Sequence, residues 1–199
     1  MDAEKAGSHV NDYRANIRAN IRGLWLGAIS RTQFVDNMES AIDRYLRFAF
    51  AEGAAGCGIK PEDYTEEEEA AISNIVANEY HYIGDLADAI EAGSKANGGK
   101  LEPLNTRAEL WLNRYKDVVN RGKMMACSDR KYKWTLGQTE HCSTCARLAG
   151  QVRRGSFWAE RVMPQQPPNL LLECGGWLCQ CTLDETSAPC NHGPLPRMP

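Results

Sequence analysis

Five cysteines within forty residues are the groups in this chain best suited to chemistry. Cys142 and Cys145 form a C-x-x-C pair, and Cys174, Cys179 and Cys181 follow about thirty residues later. A C-x-x-C turn aims two sulfurs at one ion from a tight loop, and a second cluster brought back by the intervening chain can complete a tetrahedron. Zinc takes that geometry with thiolate or imidazole ligands. Cys142 and Cys145 are the leading ligands. Cys174 and Cys181 are the first choice from the second cluster, with Cys179 close behind, because the short bite of a C-x-C step lets one of its sulfurs face away. A disulfide pair or reduced structural thiols are the alternatives. His141 and His192 are spare donors and are expected to stay off the metal. Cys190 is left out, and Cys57 has no partner by spacing and reads as a packing residue. Four thiolates close the coordination sphere, so such an ion is structural and has no position for a substrate.

The elements that must position these thiols are short. Lys131 to Leu136 alternates polar and apolar residues and reads as a strand, with Gly137 leading into the C-x-x-C loop. Cys145 to Leu148 reads as a single helical turn and Gln151 to Arg153 as a second strand. A short helix is expected from Ser156, an extended loop across Pro164, Pro167 and Pro168, and a last strand over Cys181 to Leu183. Leu170 to Leu172 and Trp177 supply a small apolar core. A region of about fifty residues with few large apolar groups is near the size at which a core alone struggles to hold a fold. Bound zinc contributes roughly 10–16 kcal/mol to folding in such modules.

The first half reads differently. Apolar residues recur at three- and four-residue steps in four stretches. Val10, Tyr13, Ile17, Ile21, Leu24, Trp25 and Ala28 mark the first, beside an Arg14, Arg18 and Arg22 row that reads as a solvated face. Phe34, Met38, Ile42, Tyr45 and Phe48 or Ala49 mark the second, started by a Ser30 and Gln33 capping box and stopped at Gly53. The third runs from a Thr65 and Glu68 box through Ile72, Ile75, Val76, Tyr80, Ile83, Leu86 and Ile90 to Gly93. Its Glu66 to Glu69 run suits the positive end of the helix dipole. The fourth begins near Asn105 or Thr106 and uses Leu110 or Trp111, Tyr115, Val118 and Met125. The expected fold class is α+β, a mainly helical N-terminal bundle over residues 1–127, then a small zinc-stabilised module with short β-strands over 128–186 and a flexible tail over 187–199.

Composition narrows the function classes. The chain has 199 residues, 43% hydrophobic and 25% charged, as an ordinary globular protein does. No apolar run approaches a membrane span, and the first residues lack a signal-peptide pattern, so a reducing, intracellular setting is the expectation. The net charge is −3, but Arg121 to Arg161 holds nine basic residues against three acidic ones. Arg130, Lys131, Lys133, Arg147, Arg153 and Arg154 are the candidates for a nucleic-acid or acidic partner contact. Tyr132, Trp134, Phe157 and Trp158 lie among them and read as core first and as base-stacking groups second. No enzyme site is evident. Four scattered histidines have no paired carboxylates, there is no phosphate-cradling glycine loop, and Cys127, the one candidate nucleophile, has no identifiable base.

The Trp134 strand, Cys142-x-x-Cys145 with Leu148 and Gly150, the aromatic Phe157, Pro167 with Pro168, and the closing Cys174, Cys179 and Cys181 together resemble the C-terminal domain of the phage Mu F-like minor head proteins. The likeness spans about residues 131–184. This chain has Cys174-Gly-Gly where family members often have His-Pro, and Gln180 where an arginine is usual. The resemblance implies a minor capsid or head-morphogenesis protein, non-enzymatic, found in the virion and in the host cytoplasm during assembly. The implied partners are portal and capsid proteins and packaged DNA, with no membrane and no small-molecule substrate. The competing expectation is a zinc-ribbon-like nucleic-acid binder acting outside a particle.

Overall fold

The computed structural model describes residues 3–138, 140–164, 169–176 and 179–191, with residues 3–8 as backbone only. The fold is α+β. Six α-helices are joined by a small antiparallel sheet of three strands. No described helix is long and apolar enough to cross a membrane. The chain divides into two compact units. One comprises residues 1–49 and 62–115, and the other comprises 50–61 and 116–199.

The first unit is built from α1 (Ala3–Leu26), α3 (Glu66–Ala92), most of α2 (Arg31–Ala55) and the first half of α4 (Glu102–Ala126). Both expected capping boxes form. The Ser30 hydroxyl accepts from the Gln33 N–H at 3.2 Å while the Gln33 side chain accepts from the Ser30 N–H at 2.9 Å, and Thr65 and Glu68 do the same. The fourth helix starts at Glu102, ahead of the expected Asn105. Pro103 is tolerated there because a first-turn residue has no intrahelical N–H bond to lose. Neighbours run antiparallel. His9 meets Phe48 and Asn20 meets Asn37 across α1 and α2, while Arg31 meets Glu91 and Arg47 meets Glu69 across α2 and α3. Arg18 pairs with Glu109, and Tyr13 lies 6.1 Å from Tyr115, across α1 and α4. Most residues of the expected apolar stripes are core, with Ala49 and Trp111 buried and Leu110 exposed, but Val10, Trp25, Phe48, Tyr80 and Met125 are only half-buried and Ala28 is exposed.

One buried pair was not foreseen. Glu79 takes an inside position on α3 that hydropathy assigns to Tyr80, and its carboxylate lies 2.9 Å from the Arg114 guanidinium. Both side chains are about nine-tenths buried, at 10% and 7% exposure. Burial pushes the Glu79 carboxyl above its ordinary value, with Arg114 opposing that shift. Burial also raises the fully enclosed Tyr13 hydroxyl, and Glu79 adds to it, so that phenol stays neutral.

The second unit takes the ends of α2 and α4 with β1 (Lys131–Thr135), α5 (Ser143–Leu148), β2 (Val152–Arg154), α6 (Gly155–Arg161) and β3 (Thr182–Glu185). The division therefore falls inside two helices, and residue 127 is not the boundary. Gly53 is not a helix stop. A Cβ there would lie 2.0 Å from the Val119 carbonyl oxygen, and one on Gly122 would lie 2.2 Å from that of Phe50. Two glycines let the helix backbones touch. Just beyond this crossing Cys57 and Cys127 form a disulfide, with Cα atoms 5.7 Å apart. This corrects both readings, of Cys57 as a lone packing residue and of Cys127 as a candidate nucleophile. Their separation of 70 residues hid the pair from any spacing argument.

The sheet order is β2-β1-β3. Its inner face carries Tyr132 and Trp134, both fully buried. Trp134 packs 5.6 Å from Trp158, whose indole N–H donates to the Tyr132 carbonyl at 3.1 Å. These rings are core and are closed to base stacking. Met124 and Cys127 from the end of α4 join the same cluster, with Leu148, Met163, Leu172 and Leu183. The module is thus larger than residues 131–184, because it recruits helix ends from upstream. The first part of the expected flexible tail is anchored. The Asn191 side chain accepts from the Val152 N–H at 2.7 Å and donates to the Gly150 carbonyl at 3.0 Å, which covers the free edge of β2. Pro167, Pro168, Trp177 and His192 lie outside the described residues.

Candidate metal centre

Cys142 is the N-cap of α5. Its sulfur accepts the Cys145 N–H at 3.4 Å, which satisfies one orphan donor of the first turn and sets both sulfurs on the same side. Cys145 is 1% exposed. The second cluster is tied to this turn by a residue the sequence reading did not single out. The Glu173 carboxylate accepts from the Ser143 N–H at 2.9 Å and the Ser143 hydroxyl at 2.6 Å. Its own N–H donates to the buried Thr144 hydroxyl at 3.3 Å. These bonds hold the Glu173 carboxyl below its ordinary value, and they deliver the next residue, Cys174, to the C-x-x-C turn.

Asn169, 7% exposed, shapes the loop that follows α6. Its side chain donates to the Met163 carbonyl at 3.0 Å and accepts from the Leu171 N–H at 3.0 Å, and its N–H donates to the Gly175 carbonyl at 2.8 Å. Gly175 and Gly176 have φ of 61° and 79°. Side chains other than glycine rarely adopt that backbone, so the Gly-Gly pair after Cys174 is a conformational requirement of the turn. Gly137 admits the C-x-C segment ahead of β3. A Cβ on Gly137 would lie 2.5 Å from the Gln180 carbonyl oxygen.

All five expected thiols come together. Cys142, Cys145 and Cys174 have sulfurs within 4.8 Å of one another, and so do Cys145, Cys179 and Cys181. The Cys145 and Cys179 sulfurs are 4.0 Å apart. Tetrahedral zinc with bonds of about 2.3 Å needs sulfurs about 3.8 Å apart, so the donor set and its spacing fit a thiophilic ion with small adjustments. Either cluster can hold a metal ion. His141, set aside as a ligand, has Nδ1 3.9 Å from the Cys181 sulfur. The thiols perturb one another strongly. Hydrogen bonds from the Cys145 and Cys179 thiols hold Cys181 well below the ordinary thiol value, while contacts with Cys179 and then Cys181, together with burial, push Cys145 up.

The basic candidates are distributed differently. Arg130 pairs with Glu185 at 3.2 Å and Arg154 with Asp129 at 2.8 Å. Lys131 donates to the Ser187 carbonyl, Arg147 to the Ser143 carbonyl, and the Arg153 guanidinium stacks 4.8 Å over the Phe157 ring. Cross-strand partners share a sheet face, so Lys131, Lys133 and Arg154 lie on the face opposite Tyr132 and Trp134. Comparison with family models, curated proteins and solved structures gives no match to this chain.

Proposed function

We propose that this protein is a non-enzymatic minor capsid or head-morphogenesis component of a phage, associating with the portal or inner capsid and the packaged DNA, with its C-terminal unit held by structural zinc. The convergence of all five clustered thiols on Cys145 carries the reading. The motif residues behind the resemblance to Mu F-like proteins support it. Trp134 and Leu148 are fully buried, and Gly150 turns the chain at φ 76° between α5 and β2. They are the parts that build the module, so the likeness is one of construction. Zinc is the reading of the metal because thiolates select soft, thiophilic cations and zinc takes tetrahedral sulfur ligation.

The test is recovery of the protein with assembled head particles, followed by elemental analysis of protein purified without chelator. Absence from purified heads at every stage of assembly rejects the capsid role, and less than a tenth of an equivalent of metal rejects the zinc. A nucleic-acid role outside a particle is favoured by one observation, the shared outer face of Lys131, Lys133 and Arg154. DNA affinity that does not fall with added salt rejects phosphate contact in either setting.

A further inference from the structure

Building on the metal reading above, we infer that the cluster holds two thiophilic divalent cations bridged by the Cys145 thiolate, the second completed by His141. The sulfurs form two triads, Cys142 with Cys145 and Cys174, and Cys145 with Cys179 and Cys181. Cys145 alone belongs to both. Among the described residues no fourth donor joins either triad at that spacing. One ion seated in either triad therefore leaves two thiols of the other without a metal.

Cys145, the proposed bridge, is 1% exposed and sits between the two triads, where a doubly bound sulfur belongs. His141 has its Nδ1 3.9 Å from the Cys181 sulfur, so its imidazole belongs to the second ion. Cys142 and Cys174 are half-buried, so the first ion takes its fourth ligand from solvent. Binding exchanges thiol protons for metal–sulfur bonds, with no electron transfer and no change in the oxidation state of zinc.

The experiment counts ions in the full chain, with the Cys57–Cys127 disulfide left intact. Elemental analysis and native mass spectrometry are expected to give two zinc equivalents. Cobalt(II) titration of the metal-depleted protein is expected to build its thiolate charge-transfer band to a two-equivalent endpoint, and cadmium-113 NMR to show two resonances coupled through one sulfur. His141→Ala should retain the fold and lower the second equivalent's affinity by ten-fold or more. One equivalent, a one-equivalent endpoint or a single cadmium resonance overturns the bridged pair and leaves the zinc module standing. No bound metal overturns both. The wild-type measurements do not depend on any variant folding.

Discussion

The helical unit and the cysteine-rich unit reach stability by different routes. Residues 1–49 with 62–115 bury long apolar stripes on four helices, and almost every inward side chain follows from a 3.6-residue period. Residues 50–61 with 116–191 have three strands of three to five residues and two helices of six and seven. Those elements are too short to specify a fold by periodicity. Cross-links specify it instead: a disulfide, a thiol cluster, and side chains such as Glu173 and Asn169 that tie one loop to the next. Apolar mass is tolerant of substitution, whereas a cross-link is lost in one step.

Metal removal should separate the two units most strongly. Chelation under native conditions is expected to abolish the near-ultraviolet circular dichroism of the Trp134 and Trp158 pair while most far-ultraviolet helicity remains. The stake is roughly 10 kcal/mol of folding energy. A near-ultraviolet signal unchanged after complete metal loss would remove the contrast. The disulfide comes next. Closing a loop of 70 residues restricts the unfolded chain by about 4 kcal/mol, so Cys57→Ser with Cys127→Ser should lower the unfolding transition of the second unit by that order. Denaturant melts followed by tryptophan fluorescence measure it, and an unchanged midpoint contradicts it.

In the helical unit the largest expected effect comes from the buried Glu79–Arg114 pair. Glu79→Gln leaves the Arg114 charge buried without its carboxylate and should cost about 3 kcal/mol, read by thermal denaturation. Glu79→Leu with Arg114→Met should return most of that loss, and if it does not, the pair has a role beyond mutual neutralisation. Smallest is Thr65→Ala, which removes one side of the α3 capping box and should cost about 1 kcal/mol. A loss as large as that from Glu79→Gln would show that this unit, too, depends on single polar contacts.

The sequence made the helical unit legible because each helix repeats its signal over six or seven turns. Where it misled, a residue was doing two jobs. Gly53 looked like a terminator and proved to be the contact point of a helix crossing, since a missing Cβ serves either use. Pro103 precedes the expected helix start at Asn105 or Thr106 and sits in a first turn. Glu79 was invisible because its partner lies 35 residues away, on another helix. In the second unit the clustering of the thiols was legible and the short strands were found within two residues. Cys57 and Cys127 were not, because nothing local marks cysteines 70 residues apart as partners.

Sequence alone determined that this chain is helical first and cysteine-rich second, and that Cys142, Cys145, Cys174, Cys179 and Cys181 belong together. Helix periodicity and a C-x-x-C bite are local properties that a few consecutive residues carry in full. Tertiary structure decided that the second unit begins inside α2 and α4, that Cys57 meets Cys127, and that Cys145 stands between two sets of sulfurs. Each of those facts is a distance between segments far apart in the chain. Such distances are set by packing and by loop closure, which no window of neighbouring residues encodes.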